Sequence, residues 1–252
     1  MRNPQILIAT SFYNGPSPSF HKTEDAIING IGTHFSAYKY IAQTSEVEMF
    51  RNAVVRFAIN NKFDYIFFAD ADMSFPDGTV AQLLKVFEDY KDERPFIASG
   101  IYAIRQQGYG PSVYHWNGNA FVNDMAQLDS AFDYEHVFRA DGAATGCMLI
   151  KTALFIDKVT DPDDLWFEYA YTPMEEGGPR TKWSEDMVFC KKCVDAGVKV
   201  YINPKVVCGH DLWGAQVWPV SKKEFQVRIG TDLVVNLTRR IKDGHSSNNP
   251  VT

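Results

Sequence analysis

The feature that most constrains this chain is a nearly continuous apolar run that ends in two acidic residues. Residues 65–69 read Tyr-Ile-Phe-Phe-Ala, and Asp70 and Asp72 follow directly. A short run without polar alternation is typical of a central parallel strand that helices cover on both faces. Such a strand indicates an α/β fold, because parallel strands need long crossover connections, and these are usually helices.

Strand-like and helix-like segments alternate around this run. Strands are predicted over residues 5–10, 35–43 and 96–100, because each is a short apolar segment bounded by polar or turn residues. A helix is predicted over residues 45–60, where apolar residues recur at helical spacing and Ser45 provides an N-cap. This order predicts an α/β fold with a mostly parallel central sheet, flanked by helices and connected by right-handed crossovers.

Further helix and strand patterns continue along the chain. Helices are predicted over residues 22–32 and from Pro76 onward, and a strand is predicted over residues 146–151. Another helix is predicted over residues 184–196, with acidic residues in its first turn and Gly197 as its C-terminal stop.

Three segments have no regular pattern. Residues 101–140 are rich in Gly, Asn and aromatic residues, which predicts hairpins and long loops. Residues 161–183 form a predicted long loop, which is either a lid hinged at Gly177 and Gly178 or a static surface segment. Residues 219–245 are either a helix packed on the domain or part of a contact with a partner.

Length and composition predict one globular domain. The chain has 252 residues, of which 45% are hydrophobic and 22% are charged, and this balance is usual for folded proteins. We expect the main domain over residues 1–218. A C-terminal extension over residues 219–252 is expected to pack on that domain and to end in a frayed tail.

The charge and the apolar pattern argue against several functions. The formal net charge is −6, and no basic run could follow a phosphate backbone, so nucleic-acid binding is not expected. We expect no transmembrane segment and no signal peptide, and therefore a cytoplasmic location. Cys190 and Cys193 have a C-x-x-C spacing without a matching second pair, which favours free thiols over a zinc site.

The two acidic residues after the apolar run are a candidate metal site. Ligands of open α/β sheets bind beyond the carboxyl ends of the strands, where Asp70 and Asp72 are predicted to lie. Two carboxylates held together there are costly unless a cation neutralises them. Oxygen ligands suit Mg²⁺ or Mn²⁺, and such an ion can bridge the phosphates of a nucleotide. The alternative is a surface turn with two solvated aspartates.

Two later features are also candidates for catalysis or metal binding. Glu185 and Asp186 begin a predicted helix, where they are either catalytic or simply favoured by the helix macrodipole. His210 follows a short apolar run between Gly209 and Asp211, and a lone histidine there is either a ligand or a structural residue.

Taken together and in this order, these features resemble the nucleotide-sugar-dependent glycosyltransferases of the GT-A fold, particularly the large family 2 group. The matching pieces, which extend over residues 5–212, are Ile8-Ala-Thr-Ser, Arg51-Asn, Ile66-Phe-Phe-Ala-Asp-Ala-Asp, Gly142-Ala-Ala-Thr-Gly-Cys-Met-Leu-Ile, Ser184-Glu-Asp-Met-Val-Phe-Cys, Ala196-Gly-Val-Lys-Val and His210. The resemblance implies a metal-dependent transferase that moves a sugar from a nucleotide-diphosphate sugar to a hydroxyl of a glycan, a glycolipid or another acceptor.

The resemblance also implies roles for the acidic residues and the histidine. Asp72 and His210 would bind Mn²⁺ or Mg²⁺, which neutralises the diphosphate leaving group. Asp70 would hold the ribose or assist at the metal. Asp186 matches the general base that takes the proton of the acceptor hydroxyl, with Glu185 as the alternative base. This assignment implies an inverting reaction, and the alternative is a retaining reaction, which other GT-A enzymes carry out.

On the donor side, the resemblance places Thr10 and Ser11 in the nucleotide pocket and includes Arg51 among the residues that bind the nucleotide sugar. The family often has Asp-Asp-Gly-Ser after its second strand, but this chain has Gln-Thr-Ser-Glu over residues 43–46. Glu46 is therefore the candidate substitute for the missing acidic residues.

The sugars are expected to contact small and aromatic residues. Gly142 and Gly146 would let the backbone approach the donor sugar, because glycine has no obstructing Cβ. Trp183 and Trp116 are candidates for stacking on the acceptor. The Q-x-x-R-W signature of processive members is absent, so a single-addition enzyme is expected. The alternatives are a nucleotidyltransferase and a non-catalytic carbohydrate-binding protein.

Overall fold

The computed structural model describes most of the chain. The described residues are 2–13, 15–104, 111–123, 135–171, 182–212, 215–219, 224–229 and 233–238. The candidate lid hinges, Gly177 and Gly178, lie outside these ranges.

Helices and strands alternate through the first half of the described chain, and short strands dominate the second half. The helices are α1 (Pro18–Thr23), α2 (Val47–Asn60), α3 (Thr79–Asp89), α4 (Ala153–Asp157) and α5 (Glu185–Asp195), with 3-10 turns at Ala26–Ile28 and Lys91–Glu93. The strands are β1 (Gln5–Phe12), β2 (Ser36–Gln43), β3 (Tyr65–Ala69), β4 (Met73–Ser74), β5 (Ile97–Ile101), β6 (Val113–Trp116), β7 (Phe121–Val122), β8 (Phe138–Ala140), β9 (Gly142–Ala143), β10 (Cys147–Lys151), β11 (Ala170–Tyr171), β12 (Lys182–Trp183), β13 (Val200–Val207), β14 (Gly209–Leu212), β15 (Ala215–Pro219), β16 (Glu224–Ile229) and β17 (Leu233–Thr238).

A seven-stranded sheet forms the centre of the molecule, in the order β2-β1-β3-β10-β5-β13-β8. Strands β2, β1 and β3 are parallel to one another, and β13 is parallel to β5. Strand β10 lies antiparallel between β3 and β5, and β8 is antiparallel to β13. Five of the seven strands therefore run in one direction, and the predicted mostly parallel α/β sheet is confirmed.

Both faces of this sheet are buried, as the apolar run of β3 predicts. Phe68 contributes to one hydrophobic cluster, together with side chains of α2 and α5. Phe67 points to the opposite cluster, where α3 packs through residues such as Leu83. Successive strand residues point to opposite faces, so a central strand with a layer on each side is apolar throughout.

A second sheet extends from the carboxyl end of the first, in the order β17-β16-β15-β14-β4. Its last two strands cover residues 224–229 and 233–238, so the helix considered for residues 219–245 is wrong there. The sequence explains this difference, because Glu-Phe-Gln-Val-Arg-Ile alternates polar and apolar residues with the period of a strand.

Two local predictions also differ from the structure. Residues 22–32 do not form a helix, because α1 ends at Thr23 and positive φ angles follow at Gly30 and Gly32. Helix α2 begins one residue later than predicted, with Glu46 rather than Ser45 at its N-cap. Within the described ranges, no helix is long and apolar enough to cross a membrane.

The helix that begins at residue 185 matches its prediction closely. Helix α5 has Ser184 at its N-cap and acidic residues in its first turn, and it ends at Asp195 with Ala196 as its C-cap. Gly197 follows with a φ of 68°, which only glycine adopts readily.

Asn52 joins α2 to the segment that precedes β11. Its side-chain Nδ2 donates to the Phe167 carbonyl at 2.7 Å, and its Oδ1 accepts from the Phe167 amide at 2.9 Å. Both residues are buried and lie 115 positions apart in the chain. One amide side chain therefore satisfies both backbone polar groups of a buried residue.

We expect Asn52→Ala to lower the free energy of unfolding by roughly 2–5 kcal/mol, because two buried backbone groups lose their partners. Urea denaturation measures this change. The matched control is Asn60→Ala, at an exposed position on the same helix, which should change stability by less than about 0.5 kcal/mol. Equal effects of the two substitutions would contradict the assigned role of Asn52.

Candidate active site

The candidate site lies at the carboxyl end of β3, where the chain turns into β4. The Asp70 amide donates to the Gly146 carbonyl at 3.1 Å, which joins this turn to the start of β10. The side chain of Asp70 is 37% exposed, and that of Asp72 is 34% exposed. Both predicted carboxylates therefore lie at the strand end with access to solvent.

Strand pairing brings Asp72 and His210 together. His210 in β14 lies opposite Met73 in β4, and the Asp211 amide donates to the Asp72 carbonyl at 2.8 Å. The His210 Nε2 is 3.5 Å from Asp72 Oδ2. The contact joins residues far apart in the sequence, which the resemblance had placed together as metal ligands.

The His210 ring is held in one orientation. Its Nδ1 lies 2.6 Å from the Ala103 carbonyl oxygen, and its ring meets the Tyr102 ring edge to face at 5.5 Å. A carbonyl oxygen only accepts hydrogen bonds, so the proton resides on Nδ1. In the neutral ring, Nε2 then carries the lone pair on the side of Asp72, which is the tautomer that a metal ligand needs.

Arg51 is buried between two carboxylates. Its Nη2 lies 3.3 Å from Asp70 Oδ1, and its Nη1 pairs with Glu185 Oε1. The rings of Phe68 and Phe167 flank the guanidinium, with centroids 5.9 and 5.8 Å away. Burial alone would lower the pKa of Arg51, but the charges of Glu185 and Asp70 outweigh it and hold that pKa above its usual value.

Asp186 lies beside Glu185 but has a different environment. The Ser184 hydroxyl donates to Asp186 Oδ1, which also accepts from the Met187 amide at 2.8 Å. Burial, and then the charge of Glu185, raise the pKa of Asp186 to about 6, against the opposing effect of Arg51. This carboxyl therefore gains and loses its proton near neutral pH.

Tyr102 is a site residue that the sequence analysis missed. Its hydroxyl accepts a hydrogen bond from the Gly146 amide at 2.9 Å. Burial, and then the charges of Asp70 and Asp186, raise its pKa well above the usual value, so the phenol stays protonated. Tyr102 directly follows the carboxyl end of β5, as Asp70 follows β3, and this parallel could have identified it.

The two candidate glycines have different surroundings. A Cβ on Gly146 would lie 2.7 Å from the Tyr102 hydroxyl and 2.9 Å from Asp70 Oδ2, so only glycine fits beside the acidic cluster. A Cβ on Gly142 would instead meet Cys190 and the Phe121 ring at 3.1 Å. The structure thus places Gly146 in the site and packs Gly142 against α5.

Three of the predicted nucleotide-binding residues lie on or just after strands β1 and β2, at the edge of the sheet next to β3. Thr10 is buried and Ser11 half-buried near the end of β1, and Glu46 is exposed at the start of α2. Within the described ranges, no side-chain hydrogen bond joins these three residues to Asp70 or Asp72. They border the same end of the sheet, because β1 is parallel to β3.

The candidate acceptor-binding residues, Trp116 and Trp183, belong to an aromatic cluster next to the start of α5. The ring centroids of Trp116 and Trp183 are 5.8 Å apart, and Phe121 lies 5.1 and 6.1 Å from them. Both tryptophans are half-buried, and Lys191 Nζ lies 5.1 Å from the Trp116 ring. Trp183 directly precedes Ser184, so this cluster adjoins the helix start that carries Asp186.

A separate cavity of about 730 Å³ lies at the other end of the sheet. It is lined by residues such as Phe96 and Lys199, which precede the first residues of β5 and β13. Ligands of open α/β sheets bind at the carboxyl ends of the strands, so the acidic cluster is a better candidate for the active site than this cavity.

In the part of the chain that the structure describes, no three His, Cys, Asp or Glu side chains are grouped so as to hold a metal ion by themselves. Asp72 and His210 form a pair, whereas Asp70 is turned to Arg51. Among the described residues, Asp72 and His210 would therefore supply two of the ligands to an ion held here.

Comparisons with known proteins give similarity only at the level of structure. No protein-family model matches the sequence, and no curated protein matches it. The structure of A197 from STIV is similar with a TM-score of 0.56 and 16% identity, over 97% of this chain and 100% of that one.

GalNAc-T7, solved with UDP, GalNAc and Mn²⁺, is similar with a TM-score of 0.52 and 12% identity. The match covers 82% of this chain but only 44% of the GalNAc-T7 chain. At such identities the likeness shows the fold alone. The seven-stranded mixed sheet and these two structural neighbours together show that this chain has a GT-A fold.

Proposed function

We propose that this chain is a glycosyltransferase that moves a sugar from a nucleotide-diphosphate donor to an acceptor hydroxyl. The observation that carries the proposal is the grouping of acidic side chains and His210 at the carboxyl end of a GT-A sheet. Asp72 and His210 form one pair of this group. Asp186 lies in the first turn of α5, and Arg51 links Asp70 to Glu185. Each has a chemical role in such a transfer.

Asp186 is the better candidate for the general base. In an inverting transfer, the acceptor oxygen forms a bond to C1 of the sugar as the bond from C1 to the diphosphate breaks, and the base takes the hydroxyl proton. A base with a pKa of about 6 is ionised at neutral pH and still basic enough to accept a proton. Glu185 is buried against Arg51, which leaves it less suited to this role.

Asp72 and His210 fit a divalent cation of the Mg²⁺ or Mn²⁺ kind. One carboxylate and one imidazole nitrogen supply part of the coordination shell, and such ions commonly take their remaining ligands from substrate phosphates and water. When bound, the ion would stabilise negative charge on the diphosphate leaving group. The protein's contribution is to hold the His210 ring through the Ala103 carbonyl with Nε2 toward Asp72.

The donor and acceptor are assigned to opposite sides of this group. Thr10 and Ser11 would border the nucleotide, and Gly146 would admit the donor sugar beside Asp70. The buried Thr145 hydroxyl, which has no hydrogen-bond partner among the described residues, is available to the donor next to Gly146.

The acceptor is assigned to the side of α5. Trp183 and Trp116 would offer aromatic surface to a sugar ring. GalNAc-T7 was solved with UDP and GalNAc, which makes a uridine nucleotide the first donor to test.

Calorimetric titration with UDP, GDP and dTDP tests the metal and the donor. We expect one nucleotide to bind in the presence of Mn²⁺ and to lose most of its affinity with EDTA or in Asp72→Ala, because the ion joins the protein to the diphosphate. Asp89→Ala is the matched control, since Asp89 pairs with Lys85 on the surface of α3, away from the candidate site. Failure of all three nucleotides to bind would favour a carbohydrate-binding protein without transferase activity.

Asp186→Asn tests the base. We expect kcat to fall by roughly two to four orders of magnitude while the affinity for the donor stays unchanged, because the amide cannot accept the acceptor proton. Steady-state kinetics with saturating donor measure this effect. Asp195→Asn, at an exposed position on the same helix, should retain wild-type kcat, and full activity of Asp186→Asn would rule out the assignment.

The pH dependence provides a further test of Asp186. Its pKa is raised to about 6 in the folded protein, and only the deprotonated carboxylate can act as a base. We therefore expect kcat/KM to be constant above this pKa and to fall about tenfold per pH unit below it. A profile that stays flat well below pH 6 would show that another group accepts the proton.

A further inference from the structure

We propose that Arg51 is a positioning residue that holds the donor side and the acceptor side of the site in one geometry. The inference rests on the proposed transferase function and goes beyond the role of nucleotide-sugar ligand expected for Arg51. Its guanidinium bonds to Asp70 at the end of β3 and to Glu185 at the start of α5. This one side chain therefore links the metal-side turn to the helix start that carries Asp186.

The planar shape of the guanidinium makes it suitable for this role. Its N–H donors point in fixed directions, so carboxylates bonded to Nη1 and Nη2 are constrained relative to each other. Asp70 and Glu185 lie 19 and 134 residues from Arg51 in the sequence. Lysine has one rotating ammonium group and cannot impose the same geometry on both partners.

The position of Arg51 is itself fixed by its surroundings. Its side chain is only 5% exposed, and it is flanked by the Phe68 and Phe167 rings. The neighbouring residue Asn52 holds the Phe167 backbone through two hydrogen bonds. A side chain packed in this way cannot follow a nucleotide as it binds and leaves, which argues for a positioning role rather than for contact with the donor.

The same contacts determine the electrostatic environment of Asp186. Burial raises the Asp186 pKa most, the negative charge of Glu185 raises it further, and the positive charge of Arg51 opposes both effects. Among the residues that the structure describes, Tyr102, Tyr114, Tyr169 and Cys190 also interact with Asp186, and their raised pKa values keep them uncharged at neutral pH. The Arg51–Glu185 pair is therefore the charged pair that tunes the base.

The first test compares Arg51→Lys with the wild type in steady-state kinetics. We expect kcat to fall roughly ten- to hundredfold with little change in the acceptor KM, because the charge remains but the alignment of the two sides is lost. Arg56→Lys is the matched control, since Arg56 is exposed on the same helix and donates to the Asp164 carbonyl. Wild-type kcat in a folded Arg51→Lys variant would overturn the proposal.

The double variant Arg51→Met/Glu185→Leu separates positioning from stability. Replacing both members of a buried ion pair by apolar residues commonly preserves folding, whereas removing one member leaves an unpaired buried charge. We expect this variant to unfold at nearly the wild-type urea concentration yet to lose activity at least tenfold. A folded double variant with wild-type kcat would refute the positioning role, even if Arg51→Lys does not fold.

A third measurement does not depend on transferase activity. In Glu185→Gln the partner of Arg51 keeps its shape but loses its charge, so the Asp186 pKa should fall below its wild-type value. NMR titration of carboxyl-labelled aspartate measures this pKa in the free protein, with the Asp186 signal identified by its loss in Asp186→Asn. An unchanged or higher pKa would contradict the proposed coupling.

These measurements also separate the inference from the proposed function. If the wild type binds no nucleotide but the Asp186 pKa falls in Glu185→Gln, the coupling stands and the transferase assignment fails. If the wild type is active and neither Arg51→Lys nor Glu185→Gln has the expected effect, the assignment stands and the positioning role fails.

Discussion

The buried guanidinium of Arg51 between Glu185 and Asp70 is the interaction on which the candidate site depends. Burial of a charge is costly unless it is paired, and one cation here faces three carboxyl groups when Asp186 is counted. The cluster therefore has an excess of negative charge. Burial, and then the negative charge of Glu185, raise the pKa of Asp186. We also propose that this excess of negative charge favours the binding of a divalent cation next to Asp72.

Sheet topology creates this cluster by joining distant parts of the chain. The antiparallel insertion of β10 between β3 and β5 brings Gly146 against the Asp70 amide and the Tyr102 hydroxyl. The pairing of β14 with β4 brings His210 to Asp72. Because each contact is set by strand pairing, the groups sit on rigid elements, and little reorganisation is needed when a ligand binds.

Local patterns in the sequence predicted the elements with strong periodicity. Local sequence patterns predicted the strand over residues 65–69 and the helix that begins at residue 185, and the structure confirmed both. The strands over residues 224–229 and 233–238 were missed, because short alternating segments give a weaker signal than helical spacing. The different surroundings of Gly142 and Gly146 could not be predicted, since both lie in one glycine-rich stretch and differ only in their tertiary neighbours.

The adjacent acids Glu185 and Asp186 illustrate why sequence alone left two candidate bases. Successive residues on a helix point about 100° apart, so only one of two neighbours can face a given partner. Glu185 faces Arg51, and Asp186 accepts from the Ser184 hydroxyl and the Met187 amide. The helix N-terminus favours negative charge on both residues, but the guanidinium, which comes from α2, pairs with only one of them. Which of the two acids is paired, and which we propose as the base, therefore depends on a residue 134 positions away, which no pattern around residue 185 could reveal.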